Sequence, residues 1–390
     1  MLYITLLDQF HPGIYSSQVI DVCDYLNQKH NARIRVVAFL SIKELRNTDA
    51  KKKLKELSPN AIVLPAFPKL KYFQWTAALL FLVCLVTGER VAICRNVFCT
   101  KMALKVRRFG LLKKIVFDGR SAMAAEIGEY DVFPVEYLRK NVKNFEKLAV
   151  NNSDFRMAVS QKLVDYWREH YGYEGKSHVI IPCTLDSKYF NKNTFEFAEE
   201  VPLCKKEMGI KDEDIVLVYA GSTAPWQSFE LLEKALVPLM EKNENVKLLF
   251  LSKETPDNLR LQQKFGNRVI IKWLNHNQVP AYLMCCDYGI LLREQSDTNK
   301  VASPTKFAEY LYAGLPVLIS ANLGDFSEFV QQHNCGVVWD ESKPFCPELQ
   351  KTDLKTRDYC NIVSLNYFTK NSKQNSDAYT SIVSSLQLVS

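Results

Sequence analysis

The sequence predicts an α/β protein built as two successive doubly wound parallel sheets, and three observations carry that expectation. Short apolar strand candidates alternate with helix-period segments along most of the chain, as in a parallel sheet covered on both faces. At 390 residues the chain exceeds one ordinary domain and fits two of roughly 200. The alternation also restarts after Val-Ile-Ile-Pro-Cys-Thr-Leu-Asp-Ser at 179–187, where Pro182 and the turn residues behind it fit a strand giving way to a linker.

Hydrophobic residues make up 47% and charged residues 24% of the chain, which excludes extended disorder. The eleven cysteines form no Cys-x-x-Cys pair, and no histidine stands at ligand spacing from them. They are expected to be reduced core thiols, with no disulfide framework and no cysteine-based metal centre. The formal charge of +7 is unevenly spread: 28 basic and 18 acidic residues through Ser187, and 22 and 25 beyond it, net +10 and −3. That asymmetry predicts an anionic partner or surface for the first half. Met1–Leu7 lacks a basic leader and a cleavage site, so a first strand and a cytoplasmic protein are expected.

The strand candidates of the first half are Leu2–Leu7, Arg33–Leu40, Ala61–Leu64, Val91–Cys94, Ile115–Phe117, Arg156–Val159 and Val179–Ile181. Ligands of doubly wound sheets bind at the C-terminal strand ends. After the first strand comes a polar turn, 8–18, in which Gly13 allows close backbone approach, Ser16 and Ser17 offer a helix start, and His11 fits a structural or a catalytic part equally. Tyr72–Val86 is almost wholly apolar yet shorter than the ~20 residues of a spanning helix, so it reads as a core helix or as a helix with one face in a membrane. Lys101–Lys114 is basic, which suits a solvated face or docking onto anionic lipid. The strand Ile115–Phe117 runs into Asp118-Gly-Arg, where Arg120 can grip phosphate or carboxylate or form an internal pair with Asp118; Glu126 is a further candidate site residue.

The second half gives Ile215–Ala220, Val246–Leu251, Val269–Lys272, Tyr288–Leu292, Val317–Ser320 and Val337–Trp339 as strands, then two helical segments, Arg357–Tyr367 and Ala378–Leu388. Gly221, Ser222 and Gln227 follow the first of these strands, and Arg293 the fourth, where it can meet a phosphate or pair with Glu294. Ser303 is read as an N-cap, Pro304 as the first helical residue and Gly314 as the stop of a helix that contains Lys306 and Glu309. A cation in the first turn is unfavourable unless an anion sits there, so Ser303–Lys306 fits a phosphate, with Glu309 one turn on to meet ribose hydroxyls. A plain surface pair of Lys306 with Glu309 fits the same spacing.

Glu-Tyr-Leu-Tyr-Ala-Gly-Leu-Pro-Val at 309–317 resembles the donor-site segment of the GT-B glycosyltransferases of family four. The resemblance implies two Rossmann-like domains facing across a cleft, at 1–187 and 188–365, with a C-terminal helical segment, 366–390, crossing back to the first. It implies that Glu309 holds the ribose of a nucleotide sugar and that the loops at Gly13 and Gly221 face donor phosphates. Val301 stands where that family has a second glutamate, the arginine and lysine of its diphosphate loop are absent here, and so is the histidine often found near the counterpart of Asp118. The expected donor-binding residues are Gly13, Gly221, Ser222, Gln227, Arg293, Ser303, Pro304, Thr305, Lys306 and Glu309, and the expected catalytic residues Asp118, Arg120 and Glu126. The implied activity is metal-independent, retaining transfer of a sugar to a glycan or lipid-linked acceptor in envelope polysaccharide assembly. A GT-B epimerase and a degenerate nucleotide-sugar-binding protein are the alternatives. No cofactor and no nucleic acid are expected; an anionic membrane surface, at the inner face of the plasma membrane, is.

Overall fold

In a computed structural model the described residues of the chain form two all-parallel sheets, of seven and six strands. The described residues are 1–7, 10–46, 48–67, 70–130, 135–190, 194–221 and 224–386. Two units result: Met1–Asp186 together with Lys373–Ser390, and Ser187–Ser372.

The strands of the first unit are β1 (Leu2–Leu7), β2 (Arg35–Leu40), β3 (Ile62–Pro65), β4 (Val91–Arg95), β5 (Lys114–Gly119), β6 (Phe155–Ala158) and β7 (His178–Ile180), in the order β3-β2-β1-β4-β5-β6-β7. In register, Leu2 of β1 faces Arg35 on one side and Ala92 on the other. Every residue of β4 is buried, because helices cover both faces, and such strands read as continuous apolar runs. The order reverses direction at β1 and β4, which opens a crevice at their C-terminal ends. β5 runs two residues beyond the expected strand, so Asp118 lies in the ladder opposite Arg95 and Met157.

The turn expected after β1 is partly helical. Pro12 opens a short helix, α1 (Pro12–Tyr15), which continues as a π-helical turn at Ser16–Ile20 and an α-helix at Asp21–His30. Proline suits a first helical position because its missing N–H would lack a helical partner anyway. Gly13 therefore sits in a helical turn, where its carbonyl accepts from Ser17 Oγ at 2.8 Å. Ser16 and Ser17 lie inside the helical run and do not start it; Ser16 Oγ donates to Asp186 at 2.7 Å.

The apolar stretch forms a 3-10 turn at Leu70–Trp75 and then α2 (Thr76–Thr87), closed by Gly88 at φ +67°. It is neither wholly buried nor wholly open. Thr76, Ala77, Leu80, Val83 and Cys84 face the core, while Leu82, Leu85 and Val86 are exposed. Among the described residues no helix is long and apolar enough to cross a membrane. Next come α3 (Asn96–Arg107), α4 (Met123–Tyr130) and α5 (Glu136–Asn152).

The second unit contains β8 (Ile215–Ala220), β9 (Val246–Leu251), β10 (Val269–Lys272), β11 (Tyr288–Leu291), β12 (Val317–Ser320) and β13 (Gly336–Trp339), ordered β10-β9-β8-β11-β12-β13. Its direction reverses at β8 and β11, where Tyr288 pairs with Leu217. The key helix is α6 (Thr305–Tyr312), and the expected capping is corrected by one residue. Pro304, at φ −67° and ψ 122°, is the cap residue, and Ser303 lies one position before it. The extended ψ of Pro304 delays the helix, and its carbonyl accepts from Phe307 N–H at 3.1 Å.

Gly314, at φ +78°, follows α6; a Cβ there would lie 2.8 Å from Arg357 Cβ, so the close approach of α7 (Leu354–Phe368) needs glycine. Residues 366–372 stay with the second unit, and α8 (Lys373–Leu386) packs with the first. Tyr379, Ile382 and Leu386 of α8 enter the core that holds Tyr3, Leu26 and Ile93.

Candidate functional site

In the second unit the candidate residues gather at the switch point. Arg293, just past β11, is 7% exposed, and its N–H donates to Ser320 Oγ at the end of β12 at 2.8 Å. The Tyr219 phenol at the end of β8 is pushed up to about 12 by burial, and the charge of Arg293 works against that rise, which places the guanidinium near the β8 end. Gly221 and Gln227 share this place: a Cβ on Gly221 would lie 3.3 Å from the Tyr219 hydroxyl and 3.6 Å from Gln227 Nε2. Ser222, expected with them, lies outside the described residues.

Residues the sequence did not single out hold these loops. Ala220 N–H donates to the Tyr310 hydroxyl at 2.7 Å, which ties the end of β8 to α6. Tyr310 fits only because position 289 is glycine; a Cβ there would stand 2.3 Å from its ring. Asn299, buried, donates from Nδ2 to the carbonyls of Glu294 (3.1 Å) and Trp226 (3.3 Å), joining the loops after β11 and β8. Its one sequence signal is Ser296 three residues earlier, whose hydroxyl accepts from Asn299 N–H at 3.1 Å as a cap.

On α6, Lys306 Nζ donates to Glu309 Oε2 at 2.6 Å, with the lysine side chain 28% and the glutamate 9% exposed. Thr305 opens the helix, whose dipole is positive at this end. Val301, where the resemblance would have a sugar-contacting glutamate, is 2% exposed.

In the first unit the end of β5 carries a buried charge network. Arg120 Nε lies 2.7 Å from Asp118 Oδ1, Arg95 Nη1 lies 3.8 Å from Oδ2, and the Tyr3 hydroxyl donates to Oδ2. Arg95 Nη2 also donates to Gln18 Oε1 at 2.6 Å. The internal Asp118–Arg120 pair is thus present, and Asp118, 1% exposed, acts on its surroundings by holding two guanidinium groups. Among the described residues Arg120 Nη2 is buried with no hydrogen-bond partner. Gly119 is required here, since a Cβ would reach 2.5 Å from the Trp167 ring. Glu126 on α4 accepts from Ser121 Oγ at 2.9 Å, and burial raises its pKa. Gly13 belongs to this unit and not to the one that carries the other expected donor residues.

A further acid escaped sequence reading. Glu146, fully buried on α5, accepts from the N–H groups of Ala124 (2.8 Å) and Met123 (3.2 Å) at the start of α4 and from the Tyr171 hydroxyl (3.0 Å). Burial pushes it up to about 7 against those bonds. Among the described residues no group of three or more His, Cys, Asp or Glu side chains stands where a metal ion could be held.

Residues 202–344 match the family model Glycosyl transferases group 1. No curated protein matches the chain. Among solved structures, that of HepE (Alr3699) from Anabaena in complex with UDP is similar at TM-score 0.71 and 14% identity, over 98% of this chain and 100% of that one. Sucrose-phosphate synthase from Thermosynechococcus elongatus gives 0.65 at 13% identity over 98% and 97%. WaaG, a glycosyltransferase involved in lipopolysaccharide biosynthesis, gives 0.59 at 15% identity over 98% and 94%. These likenesses are of fold, and the two parallel-sheet α/β units have the GT-B architecture.

Proposed function

We propose that the protein is a glycosyltransferase that moves a sugar from a nucleotide sugar to a glycan or lipid-linked acceptor. The observation that carries this reading is the Lys306–Glu309 pair, which runs from the first turn of α6 to the next, inside the stretch matched by the group 1 glycosyl transferases. A diphosphate at the positive helix end would take up Lys306 and release Glu309 to ribose hydroxyls. Arg293 adds a buried cation at the same switch point, so leaving-group charge is neutralised by side chains without an essential metal.

In the first unit Arg120, held by Asp118, and Glu126 are the groups offered to the acceptor. The bond from the anomeric carbon to the diphosphate breaks, the acceptor oxygen takes its place on the same face, and the acceptor proton passes to the departing phosphate oxygen. This is the retaining course that the family-four likeness of 309–317 supports. The sugar is a hexose, the pathway envelope polysaccharide assembly, and the place of work the cytoplasmic face of the plasma membrane.

HepE was solved with UDP and with UDP and glucose, which makes UDP-hexoses the first donors to try. Incubation with a panel of nucleotide sugars, with metal chelated, is expected to release nucleoside diphosphate in an acceptor-dependent manner. Conversion of the donor sugar with no acceptor present would make the protein an epimerase. Tight donor binding without release under any acceptor would make it a binding protein.

A further inference from the structure

One face of α2 is open to solvent. Leu82, Leu85 and Val86 are 52, 59 and 85% exposed, and Trp75, at the head of the helix, is 65% exposed. Positions 75, 78, 82 and 85 follow the i, i+3, i+7, i+10 spacing of a single helix stripe. Beside the stripe, α2 and α3 leave an open pocket of about 500 Å³ whose walls include Ala78, Phe81, Val106 and Phe109. Phe81 meets Phe109 edge to face, with ring centroids 5.6 Å apart. An apolar surface this continuous marks a docking place.

Cations edge the same surface. Lys101, Lys105 and Arg108 recur at i, i+4 and i+7 along α3 and its C-cap, and Lys105 lines the pocket. Lys101 Nζ lies 3.8 Å from the centroid of the Phe145 ring. Its pKa is lowered by burial and, further, by the charges of Lys105 and Arg108, which shows how closely the three are grouped. Arg107, by contrast, is taken up by Asp154 at 3.0 Å. Among the described residues neither Lys105 nor Arg108 has a carboxylate within ion-pair distance.

A row of uncompensated cations along an apolar stripe matches one environment closely: phosphate headgroups level with the cations, acyl chains level with the stripe. We propose that the α2–α3 face docks the protein onto an anionic lipid surface, with Trp75, Leu82, Leu85 and Val86 entering the acyl boundary and the pocket receiving a lipid chain. This docking uses the first unit alone and stands apart from the donor reading: vesicle binding without nucleotide tests the one, nucleotide binding without vesicles the other.

The experiment is co-sedimentation of the full chain with phosphatidylcholine vesicles, with and without one-third phosphatidylglycerol, at low and high salt. Binding is expected to need the anionic lipid and to fall steeply with salt. Replacing both Lys105→Gln and Arg108→Gln should weaken it about fivefold per cation, about 25-fold together. The control pair Lys51→Gln with Lys52→Gln, exposed on the helix Thr48–Leu57, removes the same charge elsewhere and should change little. Leu82→Ser, Leu85→Ser and Val86→Ser combined, all at exposed positions, should keep the fold by circular dichroism yet abolish binding. Brominated lipid should quench the wild-type chain more than Trp75→Phe. Equal binding to both vesicle types, equal loss in the control, or no binding at all would overturn the proposal. So would a dimer in solution that the three serine substitutions dissociate, since the face would then belong to a second copy.

Discussion

Lys306 and Glu309 are bonded to one another at 2.6 Å, so a nucleotide that uses both must exchange that contact for two of its own. The exchange predicts different losses at the two positions. Lys306→Met should weaken a nucleoside diphosphate and its sugar while leaving the bare nucleoside almost unaffected. Glu309→Gln keeps the shape but weakens charge-assisted bonds to ribose, each of which contributes ~1.5–3 kcal/mol, and should weaken nucleoside and nucleotide alike. Calorimetric titration of both variants, with folding confirmed, checks this; wild-type affinities in both would leave only a surface pair worth less than ~1 kcal/mol. At this scale the sequence carried the helix and its charged pair but not the residues that fix the loops. Tyr310 reads as one more apolar helix residue, and only the glycine at 289, on a neighbouring strand, gives it room to reach Ala220 N–H. Ser303 has cap chemistry, yet the extended ψ at Pro304 makes the proline the cap residue and moves the helix start past Ser303.

The start of α4 depends on a buried carboxylate from another helix. Glu146 takes the Met123 and Ala124 amides, and burial nevertheless pushes it up to about 7, above the usual carboxylate range. A folded value above the unfolded one means that the folded chain binds the proton more tightly. The proton's contribution to stability is therefore full at pH values below the unfolded carboxylate range, declines as pH rises from there to about 7, and is gone above it. The decline should amount to about 1–3 kcal/mol. Glu146→Gln cannot titrate and should flatten this part of the curve, whatever its effect on stability at any one pH. Denaturant melts of both proteins at pH 5, 6, 7 and 8 measure the difference, and parallel curves would show that Glu146 does not titrate in this window. Pairing of this kind, between residues more than twenty apart, leaves no local pattern to read. Which face of α2 stays outside is hidden for another reason: with an apolar side chain at nearly every position, no polar stripe marks it.

At the scale of the molecule, the thirteen strands among the described residues are legible because buried parallel strands are short apolar runs set between helical segments. Their order was not, since it depends on which helix crosses which face, and the sequence supplies only the alternation. The end of the chain illustrates the difference: the pattern shows two helical segments and the resemblance implies that the last one returns to the first unit, but neither gives the point of change, which falls after α7, nor that α8 adds Tyr379, Ile382 and Leu386 to the core of the first.

That division makes a thermal experiment informative. Tyr379 is 1% exposed and packs on Tyr25 with ring centroids 5.1 Å apart. Tyr379→Ala should therefore cost about 3–5 kcal/mol, by analogy with other buried aromatic truncations. For a unit of about two hundred residues, each kcal/mol lowers the midpoint by roughly 2–4 °C. The calorimetric transition of the first unit should then fall by about 6–20 °C. A nucleoside diphosphate at about a hundred times its dissociation constant adds about 2.7 kcal/mol to whatever binds it. With Arg293, Lys306 and Glu309 all on Ser187–Ser372, that gain should raise the transition of the second unit and leave the one lowered by Tyr379→Ala where it is. A single transition moved by both perturbations would mean that the units unfold together. A nucleotide shift confined to the transition that Tyr379→Ala lowers would move the donor site to the first unit, and the assignment to α6 would fall.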